Sequence, residues 1–137
     1  MTEKPRIAVV GAGAVGAYIG GYLSRDGNDV TLIDGWPANV DAINANGLTL
    51  SGLTEPECFN APAKALHIAD VQSLVRSRPI DIAIVSVKSY DTAWATAMIK
   101  DYLAPTGFVL SLQNCINEET IAGIVGWGRV AGCIAAK

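Results

Sequence analysis

Apolar residues fall in short uninterrupted runs broken by glycine, proline and aspartate, and these runs set the expected elements. Residues 6–10, RIAVV, show no polar alternation after the first position, the pattern of a strand covered on both faces. Glycines follow at positions 11, 13 and 16, and residues 14–24 read as a helix that stops near Asp26 and Gly27. Residues 29–33 make a second strand. Strand, helix and strand within about thirty residues is the size of a βαβ unit, the building block of parallel sheets. The uncharged stretch 7–23 after Lys4 and Arg6 has a second reading, a signal peptide or short membrane span. Its glycines dilute the apolarity and its start is β-branched, which favours strand, turn and helix.

Pro37 suits the first turn of a helix running to Asn46 and closed by Gly47. Residues 48–50 and 58–67 are strand-like but broken by Pro56 and Pro62, so a hairpin or edge excursion is expected there. Residues 70–76 are expected to form one or two helical turns, ended by Pro79. The nearly apolar run 80–87 reads as a central parallel strand. A helix over 91–102 follows, with Ser89 or Asp91 as its N-cap and Pro105 beyond its end. Residues 107–112 form another buried strand, Asn117 can cap a helix to about residue 125, and 129–134 is strand-like. This order predicts an α/β fold of Rossmann type, a doubly wound and mostly parallel sheet with helices on both faces and a small β excursion near residues 48–67.

Composition narrows the function. The 137 residues suffice for one domain, here the whole of 1–137. Half of them are hydrophobic and 17% charged, which excludes disorder. The net charge is −3 and no basic run occurs, so neither nucleic acid nor an anionic membrane is an expected partner. Three scattered cysteines and one histidine match no disulfide or zinc framework; no metal site and a reducing, cytoplasmic setting are expected.

Gly11-Ala12-Gly13-Ala14-Val15-Gly16 satisfies G-x-G-x-x-G between a predicted strand and a predicted helix. Gly11 would make the tight turn, Gly13 would let the backbone approach a pyrophosphate, and Gly16 would allow close packing of helix on strand. Free N–H groups at the helix start would hold the phosphates without a basic side chain. A purely structural glycine turn is the plain alternative. Asp34, 18 residues beyond Gly16, stands where a carboxylate accepts both adenosine ribose hydroxyls, although a surface Asp beside Gly35 would look the same. A 2′-phosphate about 4 Å from this carboxylate would be repelled by roughly 4 kcal/mol per charge pair at an effective dielectric near 20. Residues 35–39 contain no compensating cation, so Asp34 favours NAD(H) over NADP(H).

Val87-Lys88-Ser89-Tyr90-Asp91-Thr92 and Leu112-Gln113-Asn114 stand at the C-terminal ends of two predicted strands, where open α/β sheets bind ligands. A Lys88 ammonium can hold a carboxylate or polarise a carbonyl, and an Asn114 amide can bond a hydroxyl or a carboxamide. A solvated lysine and an Asn turn are the plain reading of the same spacing.

With GAGAVG, VKSYDT and LQN in this order, the sequence resembles the N-terminal domain of ketopantoate reductase, or 2-dehydropantoate 2-reductase, over nearly its whole length. The resemblance implies reduction of ketopantoate in pantothenate synthesis, with an NAD(P) cofactor, NADPH by family habit. It places Lys88 and Asn114 in the cleft between nicotinamide and a 2-oxo acid substrate, and Gly11 to Gly16 on the pyrophosphate. It also implies that the catalytic lysine and a substrate-binding glutamate belong to a helical C-terminal domain absent from this chain. No catalytic residue is therefore assigned within 1–137, and activity is expected of the parent enzyme, with homo-oligomers possible through that domain. Cys115 replaces a family glycine, and a buried small residue is expected there. The rival reading is a non-catalytic NAD(H)-sensing domain, which would have no need of Lys88 and Asn114; an inactive fragment is a third, which only sequence downstream of Lys137 would separate from the first. His67, Glu118 and Glu119 are expected to be structural, as are Trp36, Trp94 and Trp127, though Trp36 follows Asp34 closely enough to lie beside an adenine.

Overall fold

The computed structural model describes residues 3–136. The strands are β1 (Arg6–Val10), β2 (Asp29–Asp34), β3 (Leu48–Leu50), β4 (Phe59–Ala61), β5 (Lys64–His67), β6 (Ile80–Val85), β7 (Leu103–Leu112) and β8 (Val130–Cys133). The α-helices are α1 (Ala14–Arg25), α2 (Pro37–Asn46), α3 (Thr92–Lys100) and α4 (Glu118–Val125). Six strands form one sheet in the order β5-β2-β1-β6-β7-β8, every neighbouring pair parallel. The order reverses at β1, so the C-terminal ends of β1 and β6 part around a crevice, the usual ligand position of such sheets.

The apolar runs are explained by burial on two faces. Ile7 and Val9 of β1 point with Val30 and Leu32 of β2 to a core shared with α1, α2 and the small β3–β4 sheet. Ala8 and Val10 point the other way, with Ile33, Ala83 and Val85, onto Ala95 and Ile99 of α3 and Ile121 of α4. Alternate residues of each strand thus serve opposite layers, as the period of two requires. Among the described residues no helix is long and apolar enough to cross a membrane.

Several boundaries differ from the sequence reading. The excursion is shorter: only β3 and β4 pair antiparallel as a separate sheet, while β5 joins the main sheet beside β2. Residues 68–76 form 3-10 turns. β6 stops at Val85, and the Ser86 hydroxyl beyond it donates to the Gly11 carbonyl at 2.8 Å. Pro105 lies inside β7, which starts at Leu103 and slips register where Ile80 and Ile82 face Leu103 and Phe108. Proline tolerates such an irregular stretch, where the ladder lacks its regular bonds. Neither Ser89 nor Asp91 caps α3 through its side chain; residues Ser89–Asp91 form a 3-10 turn before it. Asn117 occupies the cap position of α4, but its side chain is used elsewhere.

Candidate functional site

Between β1 and α1 the chain reverses over Gly11, Ala12 and Gly13. Gly11 has φ +101°, a conformation glycine adopts freely, and its N–H donates to the Ile33 carbonyl at 2.8 Å. A Cβ on Gly16 would overlap the Gly11 carbonyl oxygen, so the helix can rest on the turn only without one. Gly13 differs in kind. A Cβ placed there would meet nothing within 4 Å, so the missing side chain leaves free space above the first turn of α1. No side chain caps that turn, and its N–H groups carry the partial positive charge of a helix start. Ala12 is buried beneath, whereas Ala14 and Val15 are exposed.

Asp34 ends β2 beside this turn. Asn39, from the first turn of α2, donates through Nδ2 to Asp34 Oδ2 at 2.8 Å and to the Ala12 carbonyl at 3.1 Å. One carboxylate oxygen is thereby anchored and Oδ1 has no hydrogen-bond partner among the described residues. Sequence reading saw in Asn39 only the lack of a cation. Its bridging role depends on α2 folding back toward the glycine turn, for which one asparagine leaves no signal. Asp34, Trp36 and Asn39 line one depression with Gly13, Ala14 and Ala17.

Lys88 and Asn114 line one cleft of about 300 Å³ that also touches Gly13, Ala14 and Val15. Both are exposed, and neither the Lys88 ammonium nor the Asn114 amide has a hydrogen-bond partner among the described residues. The Asn114 backbone is nevertheless fixed: its carbonyl accepts from Ser89 Oγ at 3.2 Å and Asn117 Nδ2 at 2.8 Å. Gln113 is the buried tie between the two segments. Its Nε2 donates to the Val87 carbonyl and to Thr92 Oγ1, both at 2.8 Å, while Oε1 accepts from Ser111 Oγ at 3.0 Å. The glutamine belongs to the LQN segment, but only the fold shows that it clamps the ends of β6 and β7.

Cys115 is exposed, against the expectation of a buried residue. It holds φ +70°, so the turn keeps the left-handed geometry natural to glycine, at a strain cost of order 1 kcal/mol. His67 bonds to neighbouring backbone: Nε2 lies 3.1 Å from the Gly35 carbonyl and Nδ1 accepts the Ala69 N–H at 3.2 Å. Glu118 accepts the Asn117 N–H at 3.0 Å at the start of α4. The tryptophans are not core residues; Trp36, Trp94 and Trp127 are all exposed.

A family model for ketopantoate reductase PanE/ApbA matches residues 7–137. The 2-dehydropantoate 2-reductase of Pyrococcus horikoshii is 39% identical over 122 residues, 88% of this chain and 37% of the relative. That of Lactococcus lactis subsp. lactis is 34% identical over 128 residues, 91% and 39% of the two chains. A PanE/ApbA family ketopantoate reductase from Ralstonia eutropha superposes with a TM-score of 0.76 at 35% identity, covering 94% of this chain and 40% of that one. The ternary structure of D-mandelate dehydrogenase with NADH and anilino(oxo)acetate gives 0.77 at 28% identity, covering 91% and 39%. The chain spans about two fifths of the length of these relatives.

Proposed function

The chain belongs to the ketopantoate reductase family, and from that premise we propose that it is the dinucleotide-binding part of an NAD(P)-dependent 2-oxo acid reductase. The observation that carries this reading is a pair of adjoining depressions that share Gly13 and Ala14. One reaches Asp34 and Trp36, the other Lys88 and Asn114. The residues fit the group: the space left by Gly13 admits a pyrophosphate against the N–H groups of Gly13, Ala14 and Val15. Asp34 Oδ1 is free to accept ribose hydroxyls.

When bound, the reduced nicotinamide supplies hydride to the ketone carbon of the substrate. Lys88 is placed to hold the substrate carboxylate or to stabilise negative charge growing on the ketone oxygen, and Asn114 to orient the carboxamide or the substrate. The proton donor is proposed to come from the portion of the relatives beyond the matched region. D-Mandelate dehydrogenase binds NADH together with an oxo acid derivative, which supports the substrate class. The unpartnered Lys88 and Asn114 favour a reductase over a module that only senses nucleotide.

The cofactor is proposed to be NAD(H), since Asp34 opposes a 2′-phosphate and the depression around it contains no Lys or Arg. Calorimetric titration should show NADH binding more tightly than NADPH, and the reverse order overturns this choice. Lys88→Ala in the parent enzyme should lower kcat/KM for the 2-oxo acid by about a hundredfold, the scale of losing one charge-stabilising donor. Unchanged turnover would remove Lys88 from the mechanism.

A further inference from the structure

Asn117 is buried at the start of α4, yet its side chain acts on two exposed segments at once. Its Nδ2 donates to the Asn114 carbonyl at 2.8 Å and to Ser89 Oγ at 3.3 Å, while Oδ1 accepts from Thr92 Oγ1 at 3.3 Å. Ser89 Oγ donates to the same Asn114 carbonyl at 3.2 Å. Asn117 Nδ2, Ser89 Oγ and the Asn114 carbonyl are thus bonded pairwise, a ring that joins the loop after β6 to the loop after β7. The sheet does not hold these loops together, because the pairing of β6 with β7 ends at Val85 and Ser111, before Lys88 and Asn114. Gln113 ties the loops on one side of Lys88, at Val87, and the ring ties them on the other, at Ser89. Asn117 occupies a position where an asparagine side chain ordinarily accepts a helix N–H. It makes no such cap, and α4 forgoes that stabilisation. Glu118 instead accepts the Asn117 N–H at 3.0 Å, in space that a Cβ on Gly132 of β8 would fill.

We propose that Asn117 is a positioning residue, setting Lys88 and Asn114 against each other through the Ser89 hydroxyl and the Asn114 carbonyl, a role that rests on reading their cleft as the meeting place of nicotinamide and substrate. The Lys88 ammonium and the Asn114 amide have no hydrogen-bond partner among the described residues, so their placement depends on the backbone that carries them. Asn117 does not line the cleft, and its influence on a ligand passes through these two residues. Reacting groups lose effectiveness when displaced by about 1 Å, which gives a buried tie between their loops a measurable consequence.

The test is calorimetric titration of the full chain with NADH and with ADP-ribose, which lacks nicotinamide. Asn117→Asp keeps an acceptor for Thr92 but turns a carboxylate oxygen, which donates nothing, toward the Asn114 carbonyl. Aspartate suits a helix start as well as asparagine does, so α4 should still form. NADH binding should weaken about fivefold, the scale of one hydrogen bond, and ADP-ribose binding should not change. Ser89→Ala, at an exposed position, opens the same ring and should shift the ratio of the two affinities in the same direction. The double variant should bind NADH no more weakly than Asn117→Asp alone, since both changes break one unit. Thr96→Val is the structural control: it deletes the bond from Thr96 Oγ1 to the Thr92 carbonyl inside α3, outside the ring, and should lower the melting temperature without changing the ratio. An unchanged ratio in both Asn117→Asp and Ser89→Ala overturns the positioning role while leaving the cofactor reading standing. An equal shift in Thr96→Val also overturns it, because lost stability alone would then account for the effect. NADH binding no tighter than ADP-ribose in the unmodified chain removes nicotinamide from the cleft and the proposal with it, and failure to bind either ligand overturns the cofactor reading as well.

Discussion

Asn39 ties Asp34 to the glycine turn, its Nδ2 lying 2.8 Å from the carboxylate and 3.1 Å from the Ala12 carbonyl. The residue proposed to read the ribose is thus positioned from the loop proposed to hold the pyrophosphate. Removing the amide frees Asp34 to rotate and leaves the Ala12 carbonyl without that donor. Asn39→Ala should weaken NADH binding about fivefold and lower stability by about 1 kcal/mol, since the bond is only partly buried. Titration and urea unfolding measure the two effects separately. A stability loss with unaltered NADH affinity would reduce Asn39 to a structural link.

Gly13 and Gly16 should respond oppositely to the same added methyl. At Gly16 a Cβ overlaps the Gly11 carbonyl, so Gly16→Ala must push α1 off the turn, at a cost of about 3 kcal/mol. At Gly13 a Cβ meets only open space and φ is −74°, so Gly13→Ala should melt within a degree or two of the parent. Its effect should fall on NADH affinity, by about tenfold, because the methyl occupies the approach proposed for the pyrophosphate. Equal NADH binding by Gly13→Ala and the unmodified chain would place the phosphates elsewhere.

Legibility in the sequence followed burial. β1, β2 and β6 are covered on both faces, and their apolar runs were readable to within a residue or two. β5 was not separable from the excursion before it, because an edge strand carrying Lys64 and His67 shows too little apolar pattern to name its partner. The strand ends that carry the glycine turn, Asp34, Lys88 and Asn114 were legible from the apolar runs before them, and such ends are where the fold class puts ligands. Asn39 and Gln113 act through contacts between segments far apart in the chain. Nothing in their local surroundings distinguishes them from other polar residues.

Gln113 provides a case where stability and site geometry should fail together. It is 8% exposed and satisfies the Val87 carbonyl, Thr92 and Ser111 at once. Gln113→Leu keeps the volume but leaves the Val87 carbonyl and the buried Ser111 hydroxyl without this partner, and takes one donor from buried Thr92, whose hydroxyl keeps its bond to Asn117 Oδ1. The expected loss is about 2–3 kcal/mol in urea unfolding, the scale of a buried unsatisfied polar group with further bonds broken. Lys88 and Asn114 follow the two segments that Gln113 joins, so the nicotinamide end should loosen as well. Binding of nicotinamide mononucleotide should weaken more than that of ADP-ribose, and equal weakening would show that the damage is global.

Asn44 guards the open edge of the sheet. β5 is the outermost strand, and the Ala65 N–H and carbonyl point away from β2. An unpaired strand edge of this kind is a template for pairing with another chain. Asn44 on α2 covers it with two bonds, Oδ1 accepting the Ala65 N–H at 2.8 Å and Nδ2 donating to the Ala65 carbonyl at 3.0 Å. The side-chain amide therefore takes the place of a neighbouring strand at that residue. Asn44→Ala removes both bonds together and should cost about 1–2 kcal/mol. It should also expose the edge, so that light scattering on heating begins at a lower temperature than in the unmodified chain, and at a protein concentration where Gln113→Leu unfolds without excess scattering. An Asn44→Ala protein that loses stability yet scatters no more than Gln113→Leu would show that β5 is protected by its short length and by Lys64 rather than by this amide.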